Sequence, residues 1–151
     1  MKEFKNINDI LDFAINAEQE AVEFYTSLAD RFSDSNLKEV FEQFAREEVS
    51  HKAKLMTIKS TGTLNPGEKH ITDLKVGDYL VDIEPKPGMS YQDALVIAMK
   101  KEKAAFKLYM DLSEKTGDPL SKSLFLSLAM EESKHKLRFE IEYDEYVLRE
   151  N

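Results

Sequence analysis

The chain contains no cysteine. That excludes both a disulfide framework and a thiolate metal site, so the fold does not depend on an oxidising compartment. It has no apolar run near the ~18 to 20 residues of a membrane span, and its Met-Lys-Glu-Phe-Lys start lacks a signal peptide's apolar stretch. The expectation is a cytoplasmic protein with no membrane partner. No basic face is visible, and a formal net charge of −8 disfavours nucleic acid, whose phosphates must be met by cations. Glycine and proline are scarce outside one stretch: residues 63–88 hold three of the five glycines and three of the four prolines. The 151 residues suffice for one domain, 1–151, with its own core.

What is present is helical periodicity. Ile10/Leu11, Ala14, Ala17, Ala21, Phe24/Tyr25, Leu28 and Phe32 recur at three-to-four spacing, which predicts an amphipathic helix capped by Asn8. Ser33-Asp34-Ser35-Asn36 breaks it, and Asn36 with Glu39 makes a capping box for a second helix ending near Thr61-Gly62. A short turn between two long helices predicts an antiparallel hairpin over about 8–61. Residues 62–89 are the connector, where Ile71 to Ile83 fits a short helix or extended pieces equally well. A second hairpin follows over about 90–148. Ser90 and Asp93 open its first helix and Gly117 stops it; Asp118-Pro119 opens its last.

The hairpins are copies of each other. Shifted by 84 residues, positions 10–56 align without a gap on 94–140, and fourteen are identical. Among them are Leu11/Leu95, Ala14/Ala98, Ala21/Ala105, Tyr25/Tyr109, Phe41/Phe125 and Ala45/Ala129. Such a match marks an internal duplication. Two duplicated hairpins with a long crossover predict an all-α four-helix bundle.

One phrase stands out in each copy. Glu47-Glu48-Val49-Ser50-His51 recurs as Glu131-Glu132-Ser133-Lys134-His135, and 30 residues before each second Glu stands another, Glu18 or Glu102. Glu18 falls between Ala14 and Ala21 in the apolar stripe, and Glu48 and His51 fall between Phe44 and Leu55 in theirs; Glu102, Glu132 and His135 repeat the placement. Four carboxylates thus point into one core with no Lys or Arg at matching positions. Buried and ionised, each would cost several kcal/mol. Two divalent ions resolve this, because four carboxylates and two neutral imidazoles around two +2 ions sum to zero. Residues i and i+3 share a helix face, so Glu48 and His51 can address one ion while carboxylates bridge to the next. This is the ligand arrangement of di-iron and di-manganese carboxylate bundles. Carboxylate and imidazole without thiolate suit iron or manganese and argue against structural zinc.

On these residues the chain resembles the rubrerythrin-like branch of the ferritin-like superfamily, across both hairpins. The resemblance implies a ferritin-like bundle with a non-haem centre of two iron ions, manganese being the other candidate. Its ligands would be Glu18, Glu48, His51, Glu102, Glu132 and His135, and its substrate hydrogen peroxide or oxygen. Full-length rubrerythrins relay electrons through a Cys-rich rubredoxin-like domain, which a chain without cysteine lacks, so the donor must be external. The family commonly places a further Glu one turn beyond the third-helix ligand, where this chain has Ala105. The six-ligand version is therefore expected. The alternative is a ferroxidase-type, iron-handling protein without peroxidase turnover.

Several residues carry lesser expectations. Tyr25 and Tyr109 are core aromatics and candidates to hydrogen-bond a ligand carboxylate. Glu47 and Glu131 point about 100° away from the ligands, towards solvent, yet could still bond a His of a neighbouring helix. His70 is a surface histidine, and Met99, Met110 and Met130 are core filler. A homodimer, swapped through the long crossover in one version, would use an apolar outer stripe, for which Phe24, Phe106, Tyr143 and Tyr146 are candidates.

Overall fold

The computed structural model describes residue 4 and residues 6–32, 37–62, 74–81 and 85–150. Among these are four long helices: α1 (Ile7–Arg31), α2 (Lys38–Thr61), α3 (Tyr91–Lys115) and α4 (Pro119–Glu150). Among the described residues of the connector is a short 3₁₀ turn, Val76–Tyr79, which settles part of the stretch left open above. The rest of 71–83 is partly outside the described residues, as are His70 and Asn36.

The helix ends follow local chemistry, with two corrections. The cap of α1 is Asn6, whose side chain accepts the Asp9 amide at 2.9 Å, while Asn8 already lies inside the first turn. A cap must stand outside the helix so that its oxygen can reach back to a free amide. Gly117 does not stop α3 either. The helix ends at Lys115, with Thr116 extended and its amide on Leu112 O at 3.1 Å. Asp118 precedes a proline, which disfavours helical backbone and holds this corner open. The other two signals act as expected: Ser90 Oγ accepts the Asp93 amide at 3.1 Å, and Asp118 Oδ2 accepts that of Ser121 at 3.0 Å. Gly62 ends α2 in the left-handed conformation, φ 65°, where a glycine has no Cβ to clash.

These helices form a ferritin-like four-helix bundle. Within each hairpin the helices pack along their length, α1 on α2 and α3 on α4, whereas α1–α3 and α2–α4 approach only locally. The core divides into two apolar clusters. One holds Ile10, Leu11, Leu55, Leu108, Leu112, Phe125 and Leu128; the other holds Tyr25, Leu28, Phe41, Leu95, Ala98 and Phe139. Leu11/Leu95, Ala14/Ala98, Leu28/Leu112 and Phe41/Phe125 are buried in both copies, so the duplicated register is also the packing register. Between the clusters lies a layer of buried charge.

The expected outer stripe is elsewhere. Phe24 is buried, Phe106 and Tyr143 pack against the two clusters, and Tyr146 meets the Tyr91 ring at 5.3 Å. Met99 and Met110 do pack against the core, but Met130 is 58% exposed. It stands two residues, about 200° of rotation, from inward-facing Glu132. The exposed apolar side chains of α4 are Leu120, Leu126, Met130, Leu137, Ile141 and Leu148, and those of α2 are Val49 and Met56. No helix among the described residues is long and apolar enough to cross a membrane.

Candidate metal centre

The six expected ligands converge in the middle layer. Glu18 comes from α1, Glu48 and His51 from α2, Glu102 from α3, and Glu132 and His135 from α4; each is at most 3% exposed. They form two overlapping quartets, Glu18/Glu48/His51/Glu132 and Glu48/Glu102/Glu132/His135, in each of which one ligand atom per residue lies within 4.8 Å of the others. Glu48 and Glu132 belong to both, which is where bridging carboxylates would stand. The His51 and His135 rings are nearly parallel, 6.3 Å apart.

Each of the six contributes one buried atom without a hydrogen-bond partner: Glu18 Oε2, Glu48 Oε1, His51 Nδ1, Glu102 Oε2, Glu132 Oε1 and His135 Nδ1. His51 Nδ1 is 2.7 Å from Glu132 Oε1, and His135 Nδ1 is 3.3 Å from Glu48 Oε1, close enough for charge contact yet without hydrogen-bond geometry. Buried polar atoms are ordinarily satisfied. Six orphaned electron-pair donors pointing into one volume fit a pair of cations.

The rubrerythrin family model matches residues 9–143, which include all six. The chain belongs to the rubrerythrin family. It is also similar to a solved structure titled a hypothetical protein from Pyrococcus furiosus, with a TM-score of 0.69 and 31% identity over 89% of this chain and 86% of that one. No curated protein matches.

In this rubrerythrin-family chain the surrounding bonds run crosswise. Tyr25 of α1 donates its hydroxyl to Glu102 of α3, and Tyr109 of α3 donates to Glu18 of α1. His135 Nε2 meets Glu47 Oε2 at 2.5 Å, and His51 Nε2 meets Glu131. A carboxylate can only accept, so the histidine proton sits on Nε2 and Nδ1 faces the layer. Both open alternatives are thereby settled: the tyrosines bond carboxylates, and Glu47 and Glu131, though partly exposed at 38% and 41%, bond histidines. What the sequence reading did not foresee is that all four bonds cross between hairpins. The signal was available in the 84-residue register, because in a twofold-like repeat any contact from one copy to the other comes as a reciprocal pair.

Protonation shows the strain of this layer without cations. Burial, with repulsion from Glu102 and Glu18, holds the Glu48 carboxyl well above its ordinary range, and burial with repulsion from Glu102 and Glu48 does the same to Glu132. Burial also opposes ionisation of Glu102, yet the nearby His135 imidazole, together with Glu132 and the Tyr25 hydroxyl, outweighs it and keeps Glu102 low. For His135, burial acts downward, but Glu102 and Glu48 overcome it and push the imidazole up to about 11. His51 is likewise raised by Glu18 and Glu131 against burial. Protons on these groups and two divalent ions among them would relieve the same repulsion.

Among the described residues, a cleft and a groove reach this layer. A cleft of about 710 Å³ between α1 and α3 touches Glu18, Glu48, Glu102 and Glu132, and partly buried Ala105 lies on its wall. A groove of about 810 Å³ between α2 and α4 touches Glu47, Glu131 and His135.

Proposed function

We propose that this chain is a non-haem di-iron oxidoreductase that reduces hydrogen peroxide or oxygen with electrons from an external donor. Glu18, Glu48, His51, Glu102, Glu132 and His135 are its metal ligands. The supporting observation is the set of six orphaned buried atoms, one from each residue, in two overlapping quartets. Iron bound here supplies electrons and a Lewis acid to the oxygen substrate. Around it, Tyr25 and Tyr109 fix Glu102 and Glu18 by their hydroxyls, Glu47 and Glu131 keep the histidine protons on Nε2, and Glu48 and Glu132, which belong to both quartets, would hold either ion. The two apolar clusters close the layer from above and below, so access is by the side openings.

Metal analysis with stopped-flow oxidation of the reduced protein tests this. About two iron or manganese ions per chain and fast oxidation by peroxide or oxygen are expected. No stoichiometric metal, together with unchanged stability in chelator, would overturn the site. The same centre in a ferroxidase-type, iron-handling protein would retain many irons per chain in an aerobic iron(II) titration. We further propose a homodimer through the exposed apolar stripe of α4.

A further inference from the structure

We infer that the α1–α3 cleft accepts the hydrocarbon body of an organic hydroperoxide, with its peroxide end at the carboxylate layer; this rests on the reductase reading above. Size is the first reason. A two-oxygen substrate needs on the order of two water volumes, ~60 Å³, and the cleft measures about 710 Å³. Two metal ions fill little of the difference. That volume falls among sites for small organic ligands, roughly 300 to 1,000 Å³, which are mostly apolar with a few converging polar groups.

The lining has that division. Phe13, Phe24, Ala21, Ala105 and Leu108 make apolar walls between the helices, the phenol of Tyr79 in the 3₁₀ turn closes one side, and exposed Glu20 and Glu23 with half-buried Lys101 also line the cleft. The floor is polar: Glu18, Glu48, Glu102 and Glu132 are each at most 2% exposed, and each carries an unpartnered oxygen. Neither His51 nor His135 lines this cleft. The α2–α4 groove is walled by Glu39, Glu42, Arg46, Lys134 and Arg138, with Val40 and Phe44 as its apolar lining, and offers a hydrocarbon less apolar surface. Small side chains create the room. At position 105 or 21 a larger residue would occupy the space between α1 and α3 that the alanine methyls leave open.

The reaction balances as follows. The O–O bond of ROOH breaks on taking up two electrons and two protons, giving ROH and water. The electrons come one each from two iron(II) ions, which become iron(III), and the protons come from solvent.

Cumene hydroperoxide and cumyl alcohol are suitable probes. The redox-inert alcohol, titrated calorimetrically into zinc-loaded protein, should bind saturably at one per chain. Anaerobic iron(II)-loaded protein should be oxidised by cumene hydroperoxide as well as by hydrogen peroxide. Ala105→Phe and Ala21→Leu should each lower the ratio of the two rates, organic over hydrogen peroxide, at least tenfold and weaken alcohol binding at least tenfold. Absence of alcohol binding to the wild type, or a ratio unmoved in both variants at normal metal content, overturns the inference. Oxidation by hydrogen peroxide without either organic response overturns it while leaving the reductase reading standing. Oxidation by neither compound overturns the inference, and if oxygen fails to oxidise the reduced protein as well, the reductase reading falls with it.

Discussion

Glu47 and Glu48 are neighbours in sequence and about 100° apart around α2, and that rotation separates two jobs. Glu48 turns into the buried layer with an orphaned oxygen; Glu47 turns outward and accepts a hydrogen bond from His135 Nε2. Removing a proposed ligand and removing the group that orients one should therefore differ. Carboxylates that orient a metal-bound histidine commonly account for 10–100-fold in affinity or activity. We expect Glu47→Gln and Glu131→Gln to weaken metal binding about 10- to 100-fold, and Glu48→Ala or Glu132→Ala to abolish occupancy of at least one position. Metal stoichiometry after dialysis at graded chelator concentrations distinguishes them. Equal losses would mean the wrong Glu of each pair has been taken as the ligand.

The same residues set the pH response of the metal-free protein. Glu48, Glu132, His51 and His135 hold protons more tightly when folded than when unfolded. Above a group's unfolded pKa and below its folded one, the native state binds more protons, so stability falls as pH rises. For Glu48 and Glu132 the fall begins above their ordinary 4.5, and for His135 it runs from 6.5 to about 11. Each retained proton contributes a slope of about 1.4 kcal/mol per pH unit. Denaturant unfolding of chelated protein should thus show lower stability at pH 8 than at pH 5.5, with a shallower slope in Glu48→Gln. Metal loading should reverse the trend, because ions compete with protons for the same atoms. A metal-free protein that grows more stable over that interval would contradict the proton-filled layer.

At the scale of the element, the helices and their register were legible because duplication doubled every weak signal. Glu18 alone is an acidic residue in an apolar stripe; paired with Glu102 across a gap-free repeat it becomes half of a site. Ends and outer faces were less legible. Asn6 and Asn8 have the same cap chemistry, and only the first turn of backbone decides between them. Met130 has the composition of a core residue, but its rotation relative to Glu132 puts it outside. The crosswise Tyr and Glu bonds needed the hairpins to be set against each other, which local pattern does not encode. The cap assignment is testable: a cap deletion typically costs about 1 kcal/mol, within a range of roughly 0.5 to 2. Asn6→Ala should lose about that much in denaturant unfolding of the metal-loaded protein, whereas exposed Asn8→Ala should be neutral or slightly stabilising because alanine is the better helix former. The reverse order would restore Asn8 as the cap.

For the whole molecule, what most needs a partner is the outer face of α4. Leu126, Met130, Leu137, Ile141 and Leu148 are all exposed, and at 100° per residue they fall within an arc of about 60°, along roughly 33 Å of helix. Exposed Val49 and Met56 lie seven residues apart on α2. A self-complementary stripe laid against its copy gives a closed, isologous dimer, and a stable interface needs about 1,200–2,000 Å² in total, a demand a helix-long contact can meet. Sedimentation should find a dimer at micromolar concentration, with Leu137→Lys and Met130→Lys shifting it to monomer. Metal content then separates two forms of that dimer. If each protomer pairs its own hairpins, the monomeric variant keeps its metal. If hairpins are exchanged, the layer is shared between chains and the variant loses metal together with its partner. Wild-type protein that sediments as a monomer at tens of micromolar would remove the stripe as an interface and leave the metal layer untouched.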